Sequence, residues 1–465
     1  MKNNRSQSKL KPANTKVPLK TSIAYGLPSI GAGYMYLLLS LYVMKFSTDV
    51  LLISPVVMGL IFSMSRIWDA FSDPIAGYLS DRTSLRFGRR RTWILISCIP
   101  ISIAFLAVFS PPASMEGQDL DLWMMFAILG FYSAATLFFV PHMALGAELS
   151  SNYHERTRLF GVRHIFYTFG SILSLASMHY LIQEELRADG NVRELASNLA
   201  LWAVVITSIL IIYSVSRLKE NPDYQNRVNK NPFKAFADVW KNPHAKILIV
   251  VIFIENIGGA AIGVLTLYIA QYVVEAPAWA PLIIFAYMLP STLSVPIWIP
   301  LSRKFGKINL WVFSLLLTGL SFGGIFLILF APDVEARLLI IFIGAFFAGI
   351  AAGCGGAIGP SIKGDVIDYD EYLTGERKEG SYFAALNFVY KSAYGVMLLL
   401  TGFVLEYSGF IPNQDQTMEV KFALTSLYGL VPLICYSIGA ALLFYKFKLG
   451  EKEYEKIRKA LDEIG

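Results

Sequence analysis

Apolar runs of about 20 residues recur some twelve times between Thr21 and Lys446, each long enough as a helix to cross a hydrocarbon layer about 30 Å thick. This pattern leaves little freedom. Inside a bilayer no water satisfies backbone N–H and C=O groups, so a spanning segment must pair them internally, as a helix does. The runs lie at about 21–46, 56–80, 92–111, 122–149, 161–184, 197–217, 246–272, 280–301, 310–331, 337–362, 383–406 and 421–447, with ends good to a few residues. Only 16% of the 465 residues are charged, against roughly 25% in soluble domains. The expected class is an all-α membrane protein of about twelve transmembrane helices.

The charges are unevenly placed. Loops on the N-terminal side carry nearly all the Lys and Arg, whereas the loop at 112–121 has Glu116, Asp119 and Asp121 and no base. The positive-inside rule then puts both termini in the cytoplasm, which requires an even helix count. Retention of cytoplasmic loops explains the basic clusters, so nucleic acid is not an expected partner. The basic N-terminus runs directly into a helix too long for a signal peptide. Cys98, Cys354 and Cys435 all fall inside apolar runs, which argues against a disulfide framework or a metal site built on them.

A polar stretch from Arg217 to Lys246 divides the runs six and six. The expected organisation is a cytoplasmic segment 1–20, a six-helix half 21–217, a central cytoplasmic loop 218–245, a second half 246–447 and a tail 448–465. Within the loop, Phe233, Phe236 and Trp240 fit one side of a surface helix, or a plain solvated connector. FGRRRTW at Phe87–Trp93 matches FGKINLW at Phe305–Trp311, an offset of 218, and each opens the third run of its half. Parallel six-helix repeats with the substrate between them are the architecture of the major facilitator fold. Under that offset Asp69 corresponds to Tyr287 and Asp73 to Ser291, so the fold does not demand acids there. The Gly/Ala string at Gly344–Gly359 reads first as close helix packing and second as a hinge.

The functional signal is the polar content of the second run. Arg66, Asp69 and Asp73 sit at i, i+3 and i+7, on one helical face. Intramembrane carboxylates are costly and need a reason. Counting 1.5 Å per residue, Asp69 and Thr136 lie roughly 20 Å from their outer helix ends and Lys391 roughly 12 Å from its inner end, at matching depth. Carboxylate and hydroxyl oxygens suit a small hard cation such as Na⁺ or Li⁺. Pro74 frees the carbonyl of Ala70, and a proton can compete for the same place. Lys391 is a tethered cation that can stand in for the ion. The other reading is a static network in which Arg66 and Lys391 neutralise Asp69 and Asp73. Asn387 and Tyr394 share the face of Lys391, and Glu255 and Asn256 enter from the seventh run. They are candidates for substrate contact, with Glu255 open to a packing or relay role. His142 and His164 read as structural.

Two polar loops on the cytoplasmic side are candidates for gating. Asp81, Arg82, Arg89 and Arg90 lie between the second and third runs, and Asp365, Asp368 and Arg377 follow the tenth. Ion pairs among such groups can lock an inner gate, although topology retention alone also accounts for the arginines.

RIWDAFSDPIAGYLSDRT, FGRRRTWIL, VPHMALGAELSSNYHERTRLFG and GDVIDYDEYLTGERKEGSYFA resemble the motifs of the glycoside–pentoside–hexuronide:cation symporter family, the melibiose-carrier branch of the major facilitator superfamily. They span both halves. The resemblance implies Na⁺-, Li⁺- or H⁺-coupled solute uptake by alternating access. It implies a cation site of Asp69, Asp73 and Thr136 with Lys391 beside it, and an arginine, Arg163, near the sugar cavity. Ser72 stands where the melibiose carrier has Asn. The acids with which that carrier grips its galactoside correspond to Gly33 and Phe139, so the substrate contacts differ.

The expected function is therefore a symporter importing a sugar or glycoside with a monovalent cation, embedded in the cytoplasmic membrane and monomeric, with no cofactor beyond the coupling ion. The alternatives are a cation-coupled lysophospholipid carrier and a non-transporting membrane sensor. A membrane-embedded enzyme is disfavoured, because the five His do not converge with acids in the sequence.

Overall fold

The computed structural model describes residues 17–83, 87–150, 153–220, 239–375, 379–450, 453–454 and 456–457. Among them, every regular element is helical. Nine helices are long and apolar enough to cross a membrane, and two further spans are bent pairs. In chain order these are α1 (Leu19–Leu41 with Val43–Val50), α3 (Arg89–Phe109), α4 (Gly117–Glu148), α5 (Tyr153–Glu185), α6 (Val192–Arg217), α7 (Pro243–Val273), α8 (Pro277–Leu293 with Val295–Phe305), α9 (Lys307–Phe330), α10 (Val334–Thr374), α11 (Glu379–Tyr407) and α12 (Met418–Lys446).

The remaining span, α2, is Pro55–Arg82. At 1.5 Å per residue its 28 residues reach about 42 Å, yet its charges keep it from passing as an apolar span. The helix least like a membrane helix is thus the one that carries Asp69 and Asp73. The 50° bend in α8 has a local cause: Pro296 has no N–H to give the carbonyl of Thr292, so the helix restarts there.

Helices α1–α6 pack mainly on one another, as do α7–α12, and the two groups meet along α2–α11, α5–α8 and α1–α7. The α2–α11 contact is the most extensive between the two groups. Glycine makes it possible: a Cβ on Gly59 would stand 2.9 Å from the carbonyl oxygen of Leu398 and 3.2 Å from Cα of Gly402. The two backbones cross with no side chain between them.

The seven-residue sequence repeat is also a structural one. Gly88 precedes α3 with φ +102° and Gly306 precedes α9 with φ +81°, both in the left-handed region that glycine tolerates. The glycines of α10 divide in two. Gly349 and Gly353 leave room for the α8 backbone, whereas Gly355 and Gly356 have nothing within 4 Å of an added Cβ and line a cavity. The proposed surface helix of the central loop falls largely on 221–238, outside the described residues.

Candidate functional site

The helical spacing of α2 places Asp69 and Asp73 one turn apart, facing α4 and α11. Lys391 Nζ lies 2.7 Å from Asp69 Oδ2 and 2.6 Å from Asp73 Oδ2. Its hydrogen bond goes to Asp73, while Asp69 Oδ2 is buried and accepts none. Thr136 Oγ1, from α4, is 2.9 Å from Asp69 Oδ1 and 3.0 Å from Asp73 Oδ1. Its single proton serves one acceptor at a time. Ser72 Oγ donates to the Asp69 carbonyl at 3.1 Å and sits 3.3 Å from Thr136 Oγ1. Two carboxylates and two hydroxyls from α2 and α4 thus cluster where α11 brings one ammonium. The Asp69 side chain is 1% exposed, but Asp73 and Lys391 are 29% and 18% exposed, so the cluster opens on one side.

Arg66 takes no part in that exchange. Its guanidinium lies between two rings, 4.4 Å from the centroid of Tyr132 and 4.7 Å from that of Tyr394, and its Nη2 reaches Ser40 at 3.4 Å. Stacking between aromatic faces partly replaces hydration for a buried cation. The static network expected from the sequence is therefore only half present: Lys391 meets both acids, and Arg66 meets tyrosines.

Tyr394 also borders a cavity of about 320 Å³ among α7–α12, lined by Glu255, Asn256, Tyr287, Tyr390 and Tyr436. Glu255 makes no ion pair there among the described residues. Tyr287, the repeat counterpart of Asp69, is one of its walls. Asn387 is exposed on α11. The remaining substrate candidates lie in the other half. A Cβ at Gly33 would meet the carbonyl carbon of Tyr167 at 2.9 Å, so this position serves the approach of α1 to α5. Phe139 packs edge-on against Tyr36 at 4.8 Å. Arg163 is half-buried, with an Nε that makes no hydrogen bond. His142 is enclosed, with Nε2 2.9 Å from the Tyr25 carbonyl oxygen and its ring stacked on Tyr25 and Phe138. His164 is exposed.

At one polar end of the bundle, two pairs join neighbouring helices of one half and a third ties the tail to α10. Glu148 of α4 receives Arg89 at 2.7 Å and Arg90 at 3.3 Å. Lys307 pairs with Asp365 at 2.7 Å, and Tyr454 donates to Asp368 at 2.8 Å. The side chains of Asp81 and Arg82, and Arg377 altogether, lie outside the described residues.

The opposite end holds a cluster that the sequence reading missed. Lys45 Nζ stands 2.5 Å from Glu185 of α5 and 3.2 Å from Asp49. Tyr272 of α7 donates to Asp49 at 2.6 Å, Thr48 and the Tyr268 hydroxyl are 2.8 Å apart, and Asn413 donates to the Asp49 carbonyl at 2.7 Å. These bonds cross between the halves and close that end. The signal was available: Lys45 and Asp49 form an i, i+4 pair at the end of the first apolar run.

A family model described as MFS/sugar transport protein matches residues 24–451. The Isoprimeverose transporter of Lactiplantibacillus pentosus is 27% identical, covering 92% of this chain and 89% of that protein. The Putative glycoside/cation symporter YagG of Escherichia coli (strain K12) is 23% identical, covering 96% and 95%. The Sodium-dependent lysophosphatidylcholine symporter 1 of Mus musculus is 25% identical, covering 92% and 85%. Among solved structures, a point mutant of the nucleoside transporter NupG superimposes with a TM-score of 0.67 over 91% of this chain and 99% of that one at 15% identity, a likeness of fold.

Proposed function

The chain belongs to the MFS/sugar transport protein family, and from that premise we propose that it imports a sugar or glycoside together with a monovalent cation by alternating access. It is a multi-pass membrane transporter of major facilitator fold and not an enzyme. A coupling cation is in keeping with relatives named as cation symporters. In this reading Na⁺, Li⁺ or H⁺ binds at Asp69 and Asp73 with Thr136 and Ser72, the chain works as a monomer, and both termini face the cytoplasm of a bacterial inner membrane.

The observation that carries the reading is the bridging position of Lys391. Its ammonium touches one oxygen of each acid, the place a small cation needs. Ion and ammonium therefore compete. When the ion binds, Lys391 is released from α2, and the principal contact between the halves loosens on one side. Tyr394, one turn along α11 from Lys391, borders the cavity with Glu255 and Asn256, where hydroxyl and aromatic groups suit a sugar ring. Substrate in that cavity and ion at the acids then meet through a single helix.

The test is uptake into vesicles of a panel of monosaccharides, disaccharides and isoprimeverose, with and without a Na⁺ or H⁺ gradient. Gradient-driven accumulation should disappear in Asp69→Asn and Asp73→Asn; unchanged accumulation in both would refute the coupling. Competition by lysophosphatidylcholine without competition by any sugar would select the lysolipid reading instead.

A further inference from the structure

The two halves end differently at the face that carries the termini. In the first half the start of α3 is closed by a carboxylate: Glu220, just past α6, accepts from the backbone N–H of Arg89 at 2.9 Å and of Arg91 at 2.7 Å. A negative group at a helix start satisfies free N–H groups and complements the helix dipole. The repeat places α9 in the same setting, behind Gly306 instead of Gly88. Here the described residues directly past α12 are Phe447, Lys448, Leu449 and Gly450, with no acid among them, Glu451 lying outside the described residues, and no described side chain accepts from the first N–H groups of α9. Glu453, further on, is exposed and does not border the space.

What stands at that place is a cavity of about 710 Å³. Among the described residues Arg303, Lys304, Lys307 and Lys448 line it, against the single carboxylate Asp365. Lys307 is taken by Asp365 at 2.7 Å. Arg303, Lys304 and Lys448 are exposed and make no ion pair among the described residues. Among the described residues three cations thus border one space without a counter-ion, where the matching half holds an anion. Phe305 and Phe444 also border the space and are 51% and 61% exposed, with Tyr445 beside them at 72%. Exposed aromatics beside basic groups at a helix end mark the interfacial depth of a bilayer, where headgroup phosphates lie.

We infer that this cavity binds the phosphate of an anionic membrane lipid, with the α9 N-terminus and Arg303, Lys304 and Lys448 around the headgroup and the acyl chains leaving past Phe305 and Phe444. The site is separate from the ion cluster and does not depend on the transport reading. The lipid supplies from outside the charge that Glu220 supplies from within in the other half.

The test uses the purified full chain in detergent, with retained lipid read by native mass spectrometry. Phosphatidylglycerol should be retained in preference to phosphatidylcholine with the same chains. The triple variant Arg303→Gln, Lys304→Gln, Lys448→Gln should lower its affinity on the order of 100-fold, since each of the three cations near an anionic headgroup contributes about fivefold. Lys219→Gln, in the matching place of the first half, should leave it unchanged. All four side chains are exposed, so the variants should keep the melting temperature of the parent. Equal retention of the two lipids, or full retention by the triple variant, would overturn the proposal. Displacement of phosphatidylglycerol by millimolar inorganic phosphate would overturn the lipid as the source and assign the cavity to a soluble anion.

Discussion

Lys391 and Lys45 each stand between two carboxylates, and the difference between them separates exchange from closure. Lys391 is 18% exposed and its partner Asp73 29%; Lys45 is 2% exposed and Asp49 not at all. Around Lys391 the other donors are hydroxyls on rigid helices, Thr136 and Ser72, which offer oxygen to an arriving ion. Beside Lys45 the Asp49 carboxylate already accepts from Thr48 and from Tyr272 of the second half. A charge cluster that can reach water can trade its ammonium for another cation. One that is sealed and saturated with hydrogen bonds can only hold or break as a whole, because an uncompensated buried charge is expensive.

The comparison can be broken most directly at Lys391. Lys391→Gln leaves Asp69 and Asp73 facing each other and should cost about 3–5 kcal/mol in ion-free buffer. Saturating Na⁺ or Li⁺ should restore much of it by mass action. Melting curves with and without the ion read both numbers. Lys45→Met should cost a similar amount, about 3–5 kcal/mol, because Asp49 is as deeply buried as Asp69. No cation should restore it, and a double variant with Glu185→Gln should recover part of the loss. If the ion rescues Lys45→Met as well as it rescues Lys391→Gln, the two clusters are not different in kind.

The smallest effect is expected outside the membrane, at Glu275. A hydrogen bond from Lys421 at 2.6 Å holds its carboxyl below the usual range, with Arg337 helping at 3.1 Å. A depressed folded pKa gives stability that is present above the unfolded value of about 4.3 and is lost as pH falls through the folded value. The side chain is 44% exposed, so Glu275→Gln should cost no more than about 1 kcal/mol at pH 7. The difference in melting temperature from the parent should vanish at low pH.

How much of this was legible beforehand follows from the kind of signal involved. Apolar run length reports a spanning helix directly, because the bilayer core accepts no unpaired backbone. Asp69, Asp73, Thr136 and Lys391 were legible as a group because helical rise converts residue number into depth, and charges at depth are conspicuous. Arg66 was given partners in the sequence reading only through the alternative static network, in which charge pointed it to the acids, while tertiary packing put Tyr132 and Tyr394 on either side of it. The far-end cluster escaped because Thr48, Tyr268, Tyr272 and Asn413 are ordinary residues near helix ends, and only the approach of α1, α7 and the α11–α12 loop gives them a common purpose. The basic cavity beside α9 shows the same limit. The repeat FGRRRTW and FGKINLW was plain in the chain, but that Glu220 fills one copy and no described residue fills the other depends on where the segments after α6 and α12 fold back.

The sequence by itself determined the number of crossings, the two six-helix groups and the depth at which charge is tolerated. Each of these follows from local chain length, periodicity and the cost of burying polar groups in hydrocarbon. The tertiary structure alone decided partnership: that Lys391 and not Arg66 spans the two acids, that Gly59 and Gly402 let α2 and α11 touch, and that Lys45 is sealed while Lys391 is not. Those outcomes rest on distances of a few ångströms between segments hundreds of residues apart, and no local pattern in the chain encodes them.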